Sequence, residues 1–162
     1  MLRPVAFGHD VYPIKSDGTK GDRDGIEAKA SGYTLASSTS YYYDLGPSSR
    51  EGAFQSVHVK WDSAAILTIT IEDSNFTDVT VYDTTAGNWL LENPSTAYIA
   101  NKSTDASTGG STVTNATVAV AGGTAGGCFF NIGMTGAMRT RLKIAVGGTG
   151  GVVRVSVATK ES

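Results

Sequence analysis

The sequence predicts an all-β fold: a two-sheet β-sandwich, jelly-roll-like, preceded by an extended N-terminal arm. Three observations predict it. From about residue 33 onward, short runs alternate apolar and polar residues, the period-two pattern of half-buried strands. Turn residues interrupt these runs often, and no stretch has helical periodicity of useful length. The composition agrees, with 20 Gly and about a fifth of the chain Ser or Thr. At 162 residues the chain can hold one domain with a real core plus an extended segment.

Residues 1–32 are read as the arm. They show no sustained period, and Gly and charge recur in KSDGTKGDRDGIEAKASG. Yet Leu2, Val5, Phe7, Val11, Tyr12 and Ile14 are apolar, which suits a segment laid over another surface better than a solvated tail.

The sandwich domain is read as residues 33–162. In FQSVHVKW, Val57, Val59 and Trp61 share one face, and Ser56, His58 and Lys60 the other. In AILTITIE, Leu67, Ile69 and Ile71 alternate with Thr68, Thr70 and Glu72. After the turn DSNFTD, Val79 and Val81 alternate with Thr80 and Tyr82, which predicts a half-buried hairpin. TAYIA is a short strand candidate, and NKSTDASTGGS reads as a loop on composition. TVTNATVAV, CFFNI, AMRTRLKIAV and VVRVSVAT complete eight or nine strands, enough for two four-stranded sheets. An immunoglobulin-like or tulip-like sandwich fits the same pattern, and the strand order stays open.

The stretch IAVGGTGGVV resembles a phosphate-binding loop at first sight. Such a loop must open a helix and be succeeded by a further strand. Here the residues after the glycines alternate with period two, and there is no Gly-Lys-Ser/Thr. The expectation is therefore a β-hairpin with Gly148 to Gly151 at its tip, pairing Val146 with Val153, Ile144 with Val155 and Leu142 with Val157. The opposite face of that hairpin would carry a basic stripe of Arg139, Arg141, Lys143 and Arg154. A stripe of this kind is either a solvated face or a docking surface for an acidic neighbour. Glu72, Asp73, Asp78, Asp83 and Glu92 would let a second copy be that neighbour.

The residues of catalysis are sparse. One cysteine, Cys128, excludes an intrachain disulfide and multi-cysteine zinc sites, and its apolar surroundings in GCFFNIG read as core. His9 and His58 are far apart, no zinc spacing or Gly-x-Ser-x-Gly elbow occurs, and nothing selects a carboxylate pair. Asp17-Gly18 and Asp22 to Gly25 lack the later ligands of a calcium loop. No catalytic residue, metal or cofactor is expected. The net charge of −2 recruits neither nucleic acid nor membrane, and no signal peptide or membrane span is read. Without a secretion signal, the three Asn-x-Ser/Thr tripeptides are read as chance. Tyr41, Tyr42 and Tyr43 would aim at both faces of a strand, one side core and the other a surface, interface or sugar-stacking platform. Trp61 and Trp89 read as core.

The segment SVHVKWDSAAILTITIEDSNFTDVTVYDTTAGNWLLENPSTAYI resembles the β-rich part of small auxiliary virion proteins of tailed bacteriophages. The ending RTRLKIAVGGTGGVVRVSVATK is similar to the last hairpin of such proteins. The resemblance covers about two-thirds of the chain and includes no signature residue. It implies a non-enzymatic decoration or cement protein on the capsid surface, made in the host cytoplasm. Its partners would be the major capsid protein and copies of itself, with a trimer favoured. The candidate contacts are Leu2, Val5, Phe7, Tyr12 and Ile14 on the arm and Arg139, Arg141, Lys143 and Arg154 on the stripe. The alternative is a carbohydrate- or receptor-binding module of a phage tail or fibre. An enzyme with a dispersed active site is the weakest reading, since two histidines and one cysteine offer little acid–base or nucleophilic equipment.

Overall fold

A computed structural model describes residues 6–21, 32–45, 53–91, 103–107, 111–114, 117–132 and 139–161. Among these residues there is no helix, and the strands form two antiparallel sheets. The first sheet contains β1 (Ala6–Val11), β3 (Tyr33–Leu35), β5 (Ala53–Trp61), β8 (Ser103–Ser107), β11 (Gly126–Ile132) and β13 (Gly151–Glu161). Its order is β1-β13-β5-β11-β8, and β3 lies in line with β1 along β13. The second sheet contains β2 (Ile14–Lys15), β4 (Ser40–Asp44), β6 (Leu67–Ser74), β7 (Leu90–Leu91), β9 (Ser111–Thr114), β10 (Thr117–Val120) and β12 (Arg139–Val146). Its order is β2-β4-β12-β6-β10-β9, with β7 beside the end of β6.

The all-β, two-sheet expectation is met, and its physical basis is the alternation. Each central strand sends every second side chain inward. Val57, Val59, Trp61, Val153, Val155 and Val157 from the first sheet meet Leu67, Ile69, Ile71, Leu142, Ile144 and Val146 from the second in one buried cluster. Val57, Ile69 and Ile144 are completely excluded from solvent, so each contributes the full gain of burying a large aliphatic side chain, roughly 1.5–3 kcal/mol. Tyr43 and Trp61 are as deeply buried, and their O–H and N–H have no hydrogen-bond partner among the described residues. Burial pushes the Tyr43 hydroxyl pKa upward.

The expected terminal hairpin is not formed. β12 pairs with β4 and β6, β13 pairs with β1, β3 and β5, and the two strands lie in different sheets. Val146 stands opposite Leu67 and Val153 opposite Trp61. The inward residues match the expectation and the neighbours do not. Period-two alternation reports which side of a strand is buried, whereas two strands facing each other across a core satisfy it as well as two paired ones. Residues 147–150 therefore cross from sheet to sheet, and four residues reach over the roughly 10 Å that separates packed sheets.

The glycines are needed here for close approach. A methyl group on Gly150 would overlap the Leu35 carbonyl oxygen, and one on Gly147 would meet Ile66 Cγ2 at 2.8 Å. Neighbouring crossovers tie the loop down: Gly147 N–H donates to the Ile66 carbonyl (2.8 Å), Ser38 N–H to the Gly147 carbonyl (2.8 Å) and Ile66 N–H to the Thr149 carbonyl (3.1 Å). Gly123 N–H donates to the Ser63 carbonyl at 2.7 Å. The crossovers after β3, β5, β10 and β12 thus gather at one end of the sandwich.

Three further expectations change. Residues 79–82 form no strand, because β6 has β12 on one side and β10 and β7 on the other. Residues 103–107, read as loop, form β8 against β11; a polar sequence can serve at a sheet edge where only one side is paired. The described part of the expected arm is paired within its own chain: β1 runs along β13 from Ala6 opposite Lys160 to Val11 opposite Val155, and Ile14 and Lys15 pair with Tyr42 and Tyr41. Val11 and Tyr12 pack against the core cluster, and Ile14 is buried. Residues 1–5, 22–31 and the TAYIA segment lie outside the described residues.

Candidate functional site

The expected basic stripe does not exist as one surface. Because β12 and β13 belong to different sheets, Arg139, Arg141 and Lys143 lie on the outer side of the second sheet and Arg154 on the outer side of the first. The two sides have different fates.

Outside the second sheet, residues 75–89 fold back over the strands and make a third layer. Arg141 is its centre and is only 3% exposed. Register places it directly opposite Glu72, whose Oε2 accepts from Arg141 Nε–H (2.6 Å) and lies 2.5 Å from Nη2. Arg141 Nη1 donates to the carbonyls of Val81 and Asp83, both at 2.8 Å. Its guanidinium carbon stands 4.5 Å from the Tyr42 ring centre and 4.4 Å from that of Trp89. A planar, delocalised cation is suited to this combination of ring stacking and multiple donation, and an ammonium is not. Burial draws the Arg141 pKa down while Glu72 opposes the shift, and a guanidinium keeps its charge throughout.

The surrounding residues complete the layer. Arg139 lies 5.4 Å from the Trp89 ring centre and donates to the Val79 carbonyl. Trp89 Nε1–H donates to the Thr80 carbonyl (3.1 Å), and Lys143 Nζ is 3.7 Å from Glu72 Oε1. Asp83 accepts from Asn88 Nδ2 (2.6 Å) and from the N–H and O–H of Thr85, and these bonds hold its carboxyl down at about 2. Tyr82 packs against Gly18, where a methyl group would come within 3.1 Å of the ring. Glu72 and Asp83, read as acids for a neighbouring copy, are thus engaged inside this chain.

The structure also places the remaining candidates. Tyr41 and Tyr43 point into the core, and Tyr42 points outward but is 2% exposed beneath Arg141 and its loop. No tyrosine platform is open at that strand. Trp61 is core, whereas Trp89 is buried in the outer layer. Cys128 is buried in the core, and desolvation pushes its thiol up to about 12, which suppresses the thiolate. Leu2 and Val5 lie outside the described residues, and Phe7 is placed on β1 opposite Thr159.

Outside the first sheet the surface is open. Arg154 forms a two-pronged pair with Asp10, Nε to Oδ1 at 2.8 Å and Nη2 to Oδ2 at 3.0 Å, and its side chain stays 42% exposed. This pair raises the Arg154 pKa. Lys60 stands directly opposite Arg154, so Asp10 also offsets a like-charge pairing. Beside them His58 and Phe129 are cross-strand partners with ring centres 5.0 Å apart, and Phe129 is 40% exposed. Sequence reasoning misses Phe129, Tyr42 and Trp89 as surface-determining residues. The alternation in CFFNI marks Phe129 as outward, but only strand order sets it beside His58.

No protein-family model and no curated protein matches this chain.

Proposed function

We propose that this chain is a non-enzymatic virion structural protein that decorates or cements the capsid of a tailed bacteriophage. The observation that carries the reading is the nested pairing of its strands. β3 pairs with β13, β4 with β12, β5 with β11 and β6 with β10, which supports a jelly roll. That architecture recurs in viral capsid domains and also in lectins and cupins, so it supports a class of role and leaves the partner to experiment. Among the described residues, Arg141, Glu72 and Asp83 are spent on internal structure, and Cys128 is an apolar core residue.

In this reading the partners are the major capsid protein and further copies of the chain. The arm contacts fall to the N-terminal residues, Leu2 and Val5 among them, since the pairing of β1 with β13 makes residues 6–11 part of the sandwich edge. Purified protein should co-sediment with heads of the phage whose genome encodes it and raise their resistance to heat. Deleting residues 1–5 should weaken that attachment without lowering the unfolding midpoint of the free protein. Heads that neither bind the protein nor gain stability from it would refute the virion reading, and full attachment by the deletion variant would refute the arm contacts alone.

A further inference from the structure

Among the described residues, every buried apolar side chain belongs to the core between the sheets except those of Ile14, Tyr42, Val81 and Trp89. These lie on the outer side of the second sheet. Tyr42 and Trp89 stack on Arg141, with ring centres 4.5 and 4.4 Å from its guanidinium carbon, and the Val81 carbonyl accepts from the same group. Ile14 stands opposite Tyr42 across the β2–β4 pair, so both side chains leave the sheet on one side. The outer layer therefore has a small apolar cluster of its own. Two separate segments cover Tyr42 and Arg141 to make it: residues 75–89, and residues 12–21, which lead from β1 through β2.

Residues 12–21 form a turn bonded mainly to itself. Gly21 N–H donates to the Pro13 carbonyl (2.7 Å), Gly18 N–H to the Lys15 carbonyl (2.9 Å) and Lys15 N–H to the Thr19 carbonyl (2.9 Å). Its pairing with the sheet is limited to Ile14 and Lys15, at the edge, and so short an edge pairing frays readily. A second hold comes from residues 75–89, whose Tyr82 ring and hydroxyl would each lie 3.1 Å from a methyl group on Gly18. Residues 75–89 are in turn fastened by Arg139 and Arg141, which donate to the carbonyls of Val79, Val81 and Asp83.

We propose that residues 75–89 are a clasp on residues 12–21: the two segments lock together over Tyr42 and Arg141 and open as one unit while the sandwich stays folded. Opening uncovers no part of the main core, because the plane of the second sheet separates the two clusters. Its cost is the contacts of the clasp alone, which makes it a local event. The open form presents Tyr42 and Arg141 beside Lys143 on the outer face of the second sheet, and it frees the crossover that carries the chain from β1 in one sheet to β2 in the other. The device does not rest on the virion reading and is tested on the free chain, so the two fail separately.

Hydrogen exchange of the wild-type chain in low denaturant tests it directly. The bonded amides of Lys15, Gly18 and Gly21 and those of Asp83 and Asn88 should share one opening free energy and one denaturant slope. Both should lie well below the values for Ile69 and Ile144 in the central strands. Coupling between two segments is reciprocal. Tyr82→Ala should therefore speed exchange at Gly18 and Gly21 about tenfold, and Ile14→Ala should speed it at Asp83 and Asn88 by the same order, with Ile69 and Ile144 unchanged in both. Effects confined to the mutated segment would overturn the proposal. So would wild-type segments that open with different free energies, or only together with Ile69 and Ile144.

Discussion

The outer faces of the two sheets are built from the same kind of sequence and end in opposite states. Each comes from strands whose inward residues are aliphatic or aromatic and whose outward residues include Arg, Lys and Thr. On the second sheet a 15-residue excursion, residues 75–89, returns over the strands and buries Arg141, Tyr42 and Trp89. On the first sheet Arg154 and Lys60 remain in water with Phe129 beside them. A basic residue on a strand is thus not by itself a surface residue. The outcome turns on whether a loop arrives with carbonyls, a carboxylate and rings in the right places.

The largest way to break this contrast is Arg141→Ala. It leaves Glu72 with only the more exposed Lys143, 3.7 Å away, as a counter-charge and strips the Val81 and Asp83 carbonyls of their bonds to the guanidinium. We expect a loss of about 3–5 kcal/mol in denaturant unfolding. Trp89→Ala, which removes the ring from above Arg141 and the bond to Thr80, should cost about 3 kcal/mol and expose residues 75–89 to limited proteolysis.

Acid should loosen the same layer more gently. The Asp83 carboxyl is held at about 2 in the folded chain, below its value of about 3.9 in an unfolded one. Its contribution is present above about pH 4 and is lost as the pH falls towards 2. The Trp89 indole N–H resonance should shift across that window while the core amides stay unchanged. The open face should be almost indifferent. Phe129→Ser should change stability by no more than about 0.5 kcal/mol. Arg154→Ala should leave the unfolding midpoint where it is, because its pair with Asp10 is solvent-exposed. A large loss at Arg154 with none at Arg141 would invert the comparison.

Much of the fold is legible in the sequence because burial leaves a mark on each strand separately. Val57, Val59 and Trp61, or Ile144, Val146, Val153 and Val155, declare their inward side without reference to any other strand. The site is legible only as a set of residue types. Arg139, Arg141 and Lys143 read as basic and outward, which they are by position. Their partners in Glu72, Trp89 and the Val81 carbonyl depend on β12 lying against β6, a pairing between segments about 70 residues apart.

The sequence by itself determined that the chain is all-β and which side chains face the core, because period-two alternation is a local property of each strand. It also determined that the glycines near residue 150 lead directly into a strand and open no helix. Only the tertiary structure decided that those glycines carry the chain from one sheet to the other rather than around a hairpin. It alone decided that one arginine of the supposed stripe is buried while another is open to solvent. The reason is physical: strand neighbours and loop cover are choices among long-range pairings that satisfy the same local pattern equally well, and only packing the whole chain separates them.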